Sequence, residues 1–114
     1  MTRKELGPDN AETGARSSSL AYILLEDGEY VEAETLIDDA IAIRRKALGQ
    51  THPAVGSSLA IKGMLKLATG QFEEARQLGA EARKLTSEGM PAGSWQIAMA
   101  MNVEGAALMR LGRY

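Results

Sequence analysis

Apolar positions in this chain recur at steps of three and four residues, the spacing of one face of a helix. Leu20, Ala21, Leu24 and Leu25 form a first narrow stripe and predict a helix over about residues 11–27. Ala33, Ile37, Ala40, Ile41 and Leu48 carry a second, which opens at Tyr30. A third helix is expected over about 53–69, with Pro53 in the first turn, where a missing N–H costs nothing. Phe72, Ala75, Leu78, Ala82 and Leu85 make a fourth stripe, followed by a loop over 86–94. Met101, Ala106, Leu108 and Met109 then mark a last helix over about 95–111.

The breaks between these helices are themselves periodic. Gly28-Glu29-Tyr30 returns as Gly70-Gln71-Phe72 and again as Gly112-Arg113-Tyr114, at intervals of 42 residues. Self-similarity at such a period is the mark of stacked repeats. Gly28 and Gly70 are expected to close their helices in the left-handed conformation, with the aromatics at 30, 72 and 114 folding back over the preceding helix. Ala21, Gly63 and Gly105 share one phase of the period, and Ala33 and Ala75 another. A glycine inside a helix costs about 1 kcal/mol against alanine, so two in phase require a packing reason. We expect it where the two antiparallel helices of a pair cross. Met1 to Asn10, with the turn cluster Gly7-Pro8-Asp9-Asn10, reads as a leader. The chain is thus a single all-α domain of five helices: repeats over about 6–47 and 48–89, and a partial one over 90–114.

A small residue in the first helix, a glycine and aromatic at the turn and an alanine soon after together resemble the tetratricopeptide repeat. The 42-residue spacing and the run Ala40-Ile41-Ala42-Ile43-Arg44-Arg45-Lys46-Ala47-Leu48-Gly49-Gln50-Thr51-His52-Pro53 are similar to the kinesin-light-chain type of that family. The resemblance covers about residues 6–114. Ser94-Trp95-Gln96-Ile97-Ala98 with Leu111-Gly112-Arg113-Tyr114 further resembles the repeats of bacterial multidomain regulators, such as those appended to serine/threonine kinases. It implies a right-handed α-α superhelix (a solenoid) of about two and a half helix-turn-helix repeats. Four positions depart from the family's apolar pattern: Ser17, Lys62, Lys66 and Glu104. Ser17-Ser18-Ser19 suits a terminal repeat with one solvated side, and Lys62 with Glu104, one period apart, suggests an ion pair between repeats.

Composition narrows the class. The chain is 45% hydrophobic, too apolar for a disordered segment, while aromatics are only 4% and alanine and glycine are plentiful, which suits closely packed helices. Cysteine is absent, so no disulfide or thiolate site can form. No run approaches the roughly 18 apolar residues of a membrane span, and the N-terminus lacks a signal-peptide core. A soluble, cytoplasmic protein is expected, with no membrane association. Net charge is −2, but residues 1–39 carry −7 and residues 40–114 carry +5. Acids early and bases late in the predicted helices complement the helix dipole. A dense basic stripe with stacking aromatics is missing, so no nucleic-acid partner is expected.

Candidate chemistry is thin. His52, the single histidine, sits in a turn before proline with no second ligand at metal-binding spacing, and reads as a turn-capping residue. Ser17-Ser18-Ser19 has no base to activate it. The adjacent acids Asp38-Asp39 and Glu73-Glu74 lie on faces predicted to be exposed. No phosphate-binding loop is present, because the glycines follow the repeat phase. We expect no enzymatic activity, no cofactor, no metal and no catalytic residue. Trp95 is expected to pack the loop before the last helix onto the second pair, and the methionines to fill core, with Met64, Met99 and Met109 as candidates for an adaptable groove.

The resemblance implies a concave face lined by the first helix of each pair. Its groove positions fall at Ala15, Ser18, Tyr22, Leu25 and Glu26 in the first repeat. They fall at Ser57, Ala60, Met64, Leu67 and Ala68 in the second, and at Met99, Asn102, Ala106, Met109 and Arg110 in the third. Asn102 stands out, since an amide can pair with both N–H and C=O of an extended backbone. The set carries little charge, which favours an extended or helical protein segment of modest charge over capture of an acidic C-terminus. The expected function is a protein–protein interaction scaffold. The alternative is a homodimer formed through residues 97–114, because the last helix has no partner to cover its apolar face.

Overall fold

A computed structural model describes residues 10–112. They form five helices, α1 (Ala11–Glu26), α2 (Tyr30–Leu48), α3 (Pro53–Ala68), α4 (Phe72–Gly89) and α5 (Trp95–Arg110), with no strand among the described residues. Each helix packs antiparallel on the next, and α3 also touches α1 and α5. The result is an all-α helical-repeat fold of two pairs and a fifth helix, 48 × 31 × 19 Å. Its core is a chain of Ala, Ile, Leu and Val running through all five helices, from Ala21 and Ile37 to Leu65, Ala82 and Ala100.

The two described intra-pair turns are built alike. Gly28 and Gly70 have φ of 82° and 79°. In each, the glycine N–H donates to the carbonyl three residues back and the next N–H reaches five back: Glu29 N to Leu24 O at 2.8 Å, Gln71 N to Lys66 O at 2.8 Å. This double closure satisfies the last carbonyls of the helix, and the positive φ makes it cheap only at glycine. Tyr114 and Arg113, the third copy of the turn, lie outside the described residues.

Of the two in-phase helix glycines, Gly63 serves a different contact from the one expected. A Cβ on Gly63 would stand 2.6 Å from Val103 Cγ1 of α5, but at an ordinary 3.5 Å from Leu78 of its own partner helix. A Cβ on Gly79 would meet the α5 backbone itself, Glu104 N at 2.6 Å and Cα at 2.9 Å. Glycine is therefore demanded by the stacking of one pair on the next. Gly105, in phase with Gly63, has nothing within 4 Å of its Cβ position.

Two further expectations are corrected. Helix α4 runs on through residues 86–89, which were expected to be loop. Thr86 is fully buried there and its hydroxyl donates back to Ala82 O at 2.8 Å, while Gly89, the last residue of the helix, sits against the Pro53 ring, so this glycine serves close approach and is not in the left-handed conformation. Lys62 and Glu104 do not pair with each other. Each pairs with the second helix of the preceding repeat: Lys62 with Asp38 at 2.7 Å, and Glu104 with Arg83 at 2.5 Å.

Candidate functional site: a groove across the first helices

Helices α1, α3 and α5 lie side by side and leave a groove made of two adjoining depressions. The first has a volume of about 400 Å³ and is bounded by Ser18, Ser19 and Tyr22 of α1, Ala54, Ser57 and Ile61 of α3, and Trp95, Gln96 and Met99 of α5. Met90, from the loop before α5, and Arg44, from α2, complete it. The second, about 460 Å³, is walled by Met64 and Leu67 of α3 and by Ala98, Asn102 and Ala106 of α5. Tyr22, Trp95 and Met99 line both, so the two form one continuous surface.

Small residues let these helices pack closely: Ala21, Ala60 and Ala100 are fully buried, and Gly63 admits Val103 of α5. Among the expected groove positions, Tyr22, Ser57, Met64, Leu67, Met99 and Asn102 come together on it. Ala60 and Leu25 do not: both are buried in the hydrophobic core, Ala60 completely. Glu26 is exposed at the last turn of α1 and lines neither depression. Met109 and Arg110 lie at the end of α5, and the Arg110 guanidinium stacks over the Phe72 ring at 5.6 Å, a contact that ties α5 to the start of α4.

Trp95 departs from its expected packing role. It is 65% exposed and stands over both depressions. In the serine run Ser19 is exposed as expected, whereas Ser18, at the edge of the first depression, is buried and its hydroxyl lies 3.2 Å from that of Ser58, bridging α1 and α3. Ser58 also accepts a hydrogen bond from Arg44 NH1 at 2.8 Å, and the same nitrogen donates to Ala54 O at 2.8 Å. Arg44 thus crosses from α2 to the groove floor, and its burial pushes the guanidinium below its ordinary pKa. Sequence reasoning took Arg44-Arg45-Lys46 as one dipole-complementing run and missed this residue; in sequence nothing distinguishes Arg44 from its neighbours.

His52 caps α3 through Nδ1, which accepts from Ala54 N at 3.0 Å. Among the described residues no three His, Cys, Asp or Glu gather as a metal site, and no helix is long and apolar enough to cross a membrane.

Comparison with known proteins gives one family. No curated protein matches the chain in sequence. A family profile described as tetratricopeptide repeat matches residues 12–88, which spans α1 to α4 and most of the chain. With five antiparallel helices stacked in that repeat's manner, the chain belongs to the tetratricopeptide repeat family.

Proposed function

We propose that the chain is a non-enzymatic protein-binding module that holds a segment of a partner across the groove of α1, α3 and α5. One observation carries this reading: exposed Tyr22 and Trp95, with half-buried Met99, join two depressions into a surface long enough for several residues, with Asn102 supplying an amide for backbone pairing. Aromatic anchors of this kind dominate binding energy at interfaces. Peptides selected on the chain from a displayed random library should lose about tenfold in affinity when Tyr22 or Asn102 becomes alanine. Unchanged affinity in both variants would sink the assignment. The 42-residue period and the Leu48-Gly49 to His52-Pro53 loop support a kinesin-light-chain-type repeat acting in the cytoplasm.

A second reading is favoured by α5. Met101 is 54% exposed, whereas Leu59, one period earlier, is 3% exposed, and the space above Gly105 is empty where Gly63 is filled by Val103. In this reading a second copy covers that face and the chain forms homodimers. Light scattering over a concentration series decides it: a constant mass near 12.2 kDa refutes the dimer.

A further inference from the structure

Arg44 carries a feature that stacking alone does not require. Its stem packs on Gly14, where a Cβ would lie 3.0 Å from Arg44 Cγ. One period later the same packing position, against Gly56, is occupied by Thr86 with its methyl at the same 3.0 Å. Thr86 is neutral, fully buried and satisfied by its own helix through Ala82 O. The fold therefore accepts a small uncharged residue at this place, and a long cation is an addition to it.

That cation is not neutralised by the described protein. Its two hydrogen bonds go to a carbonyl and a hydroxyl, both through NH1, and no carboxylate among the described residues pairs with it. It is also the sole charged side chain lining either depression. A half-buried guanidinium without a counter-charge is costly, and it gains most from a ligand carboxylate, whose two oxygens match the remaining donors of its planar fork. The start of α5 opens on the same depression. Ser94 Oγ turns away to Pro91 O at 2.6 Å and leaves the helix without a side-chain cap, so the helix end adds partial positive charge to the site. A single guanidinium balances one carboxylate better than a phosphate carrying close to two charges.

We propose that the groove selects a segment bearing an Asp or Glu side chain that docks on Arg44, next to a large apolar residue seated against Trp95 and Met99. This rests on the groove reading above and specifies its partner. Because the groove continues past Arg44 into the apolar second depression, the acid is an internal residue of the bound segment.

A positional-scanning library of nine-residue peptides, acetylated at one end and amidated at the other, tests this by fluorescence polarisation on the full chain. Asp or Glu beside Leu, Phe or Trp should be enriched, and replacing that acid in the best peptide by its amide should weaken binding about tenfold. Arg44→Gln should weaken the acidic peptide by a similar factor and leave its amide analogue unchanged. Ser57→Asp, which sets a carboxylate in the same depression without removing the bonds of Arg44, should weaken the acidic peptide more than its amide analogue, so the test survives if Arg44→Gln fails to fold. Peptides that lose binding on Trp95→Ala yet show no preference for acid over amide would overturn the inference and leave the groove reading standing. Peptide binding indifferent to both Trp95→Ala and Asn102→Ala would overturn the groove reading itself. Tighter binding when the terminal amide is replaced by a free carboxylate, with the internal acid dispensable, would overturn the side-chain assignment.

Discussion

The two places where one helix pair meets the next solve the same packing problem with different chemistry. Where α3 stacks on α2, the contact is laced with charge. Lys66 is only 7% exposed, and its ammonium donates to Glu34 at 2.7 Å and lies 3.4 Å from Glu74, while Lys62 reaches Asp38 one turn away. Where α5 stacks on α4, the contact is close backbone approach: Gly79 lies under Glu104, Val103 fills the space over Gly63, and a single ion pair, Arg83 to Glu104, seals the edge. The signs are also exchanged. Helix α2 offers acids to bases of α3, and α4 offers a base to an acid of α5. If α5 took the place of α3, Glu104 would stand at the Lys62 position and face Asp38. Like charges there would be repelled, so the ion pairs add to the packing in favouring the observed order of repeats.

This difference can be broken at either side. The largest effect is expected for Gly79→Ala, since a methyl there meets backbone atoms that cannot rotate away. The helix-propensity gain of about 1 kcal/mol is outweighed by overpacking, giving a net loss of about 2 kcal/mol or detachment of α5, read by chemical denaturation. Lys66→Ala comes next, at about 1–2 kcal/mol for charge-assisted hydrogen bonds to partly exposed partners. Its hydrogen bond with Glu34, then the Glu34 and Glu74 charges, outweigh burial and hold the Lys66 pKa above its ordinary value. Since the folded pKa is the higher one, this stabilisation is complete below about pH 10.4 and lost as pH rises through the raised value. Thermal melts between pH 9 and 12 should therefore bring the original chain and Lys66→Ala together. The smallest effect sharpens the contrast: Gly105→Ala, in phase with Gly63 but over empty space, should stabilise the monomer by about 1 kcal/mol. Should Gly105→Ala prove destabilising, a neighbour covers that face in solution, and the dimer reading gains.

Much of the fold was legible because its signals are short-range. The turn glycines announce themselves through φ, and the apolar steps of three and four place every helix within about four residues. What misled lies between elements. Gly63 reads as a residue of its own pair because its neighbours in sequence belong there, whereas Val103, 40 residues on, is what excludes a side chain. Lys62 and Glu104 share a phase, but equal phase places residues side by side along the stack, not face to face, so each finds its partner in the intervening second helix. For the groove, carrying the family's positions onto this chain at its own period named Tyr22, Met99 and Asn102, which line the two depressions. It could not reveal Leu25 and Ala60 as buried, since closure by neighbouring helices differs from repeat to repeat. Nor could it reveal Trp95, the first residue of α5, as exposed, or Arg44 as part of the floor, since Arg44 enters from α2.

The groove has one more consequence, which comes from where its walls stand in the stack. Among the described residues, α1 packs on α2 and α3, and α5 on α4 and α3, whereas α3 packs on all four of the others. Elements with fewer packed neighbours open before those with more, so the amides of α1 and α5 should exchange with solvent before those of α3. Tyr22 and Trp95 are rooted in α1 and α5. A segment clasped between them ties α1 to α5, and its grip is also a brake on their separation.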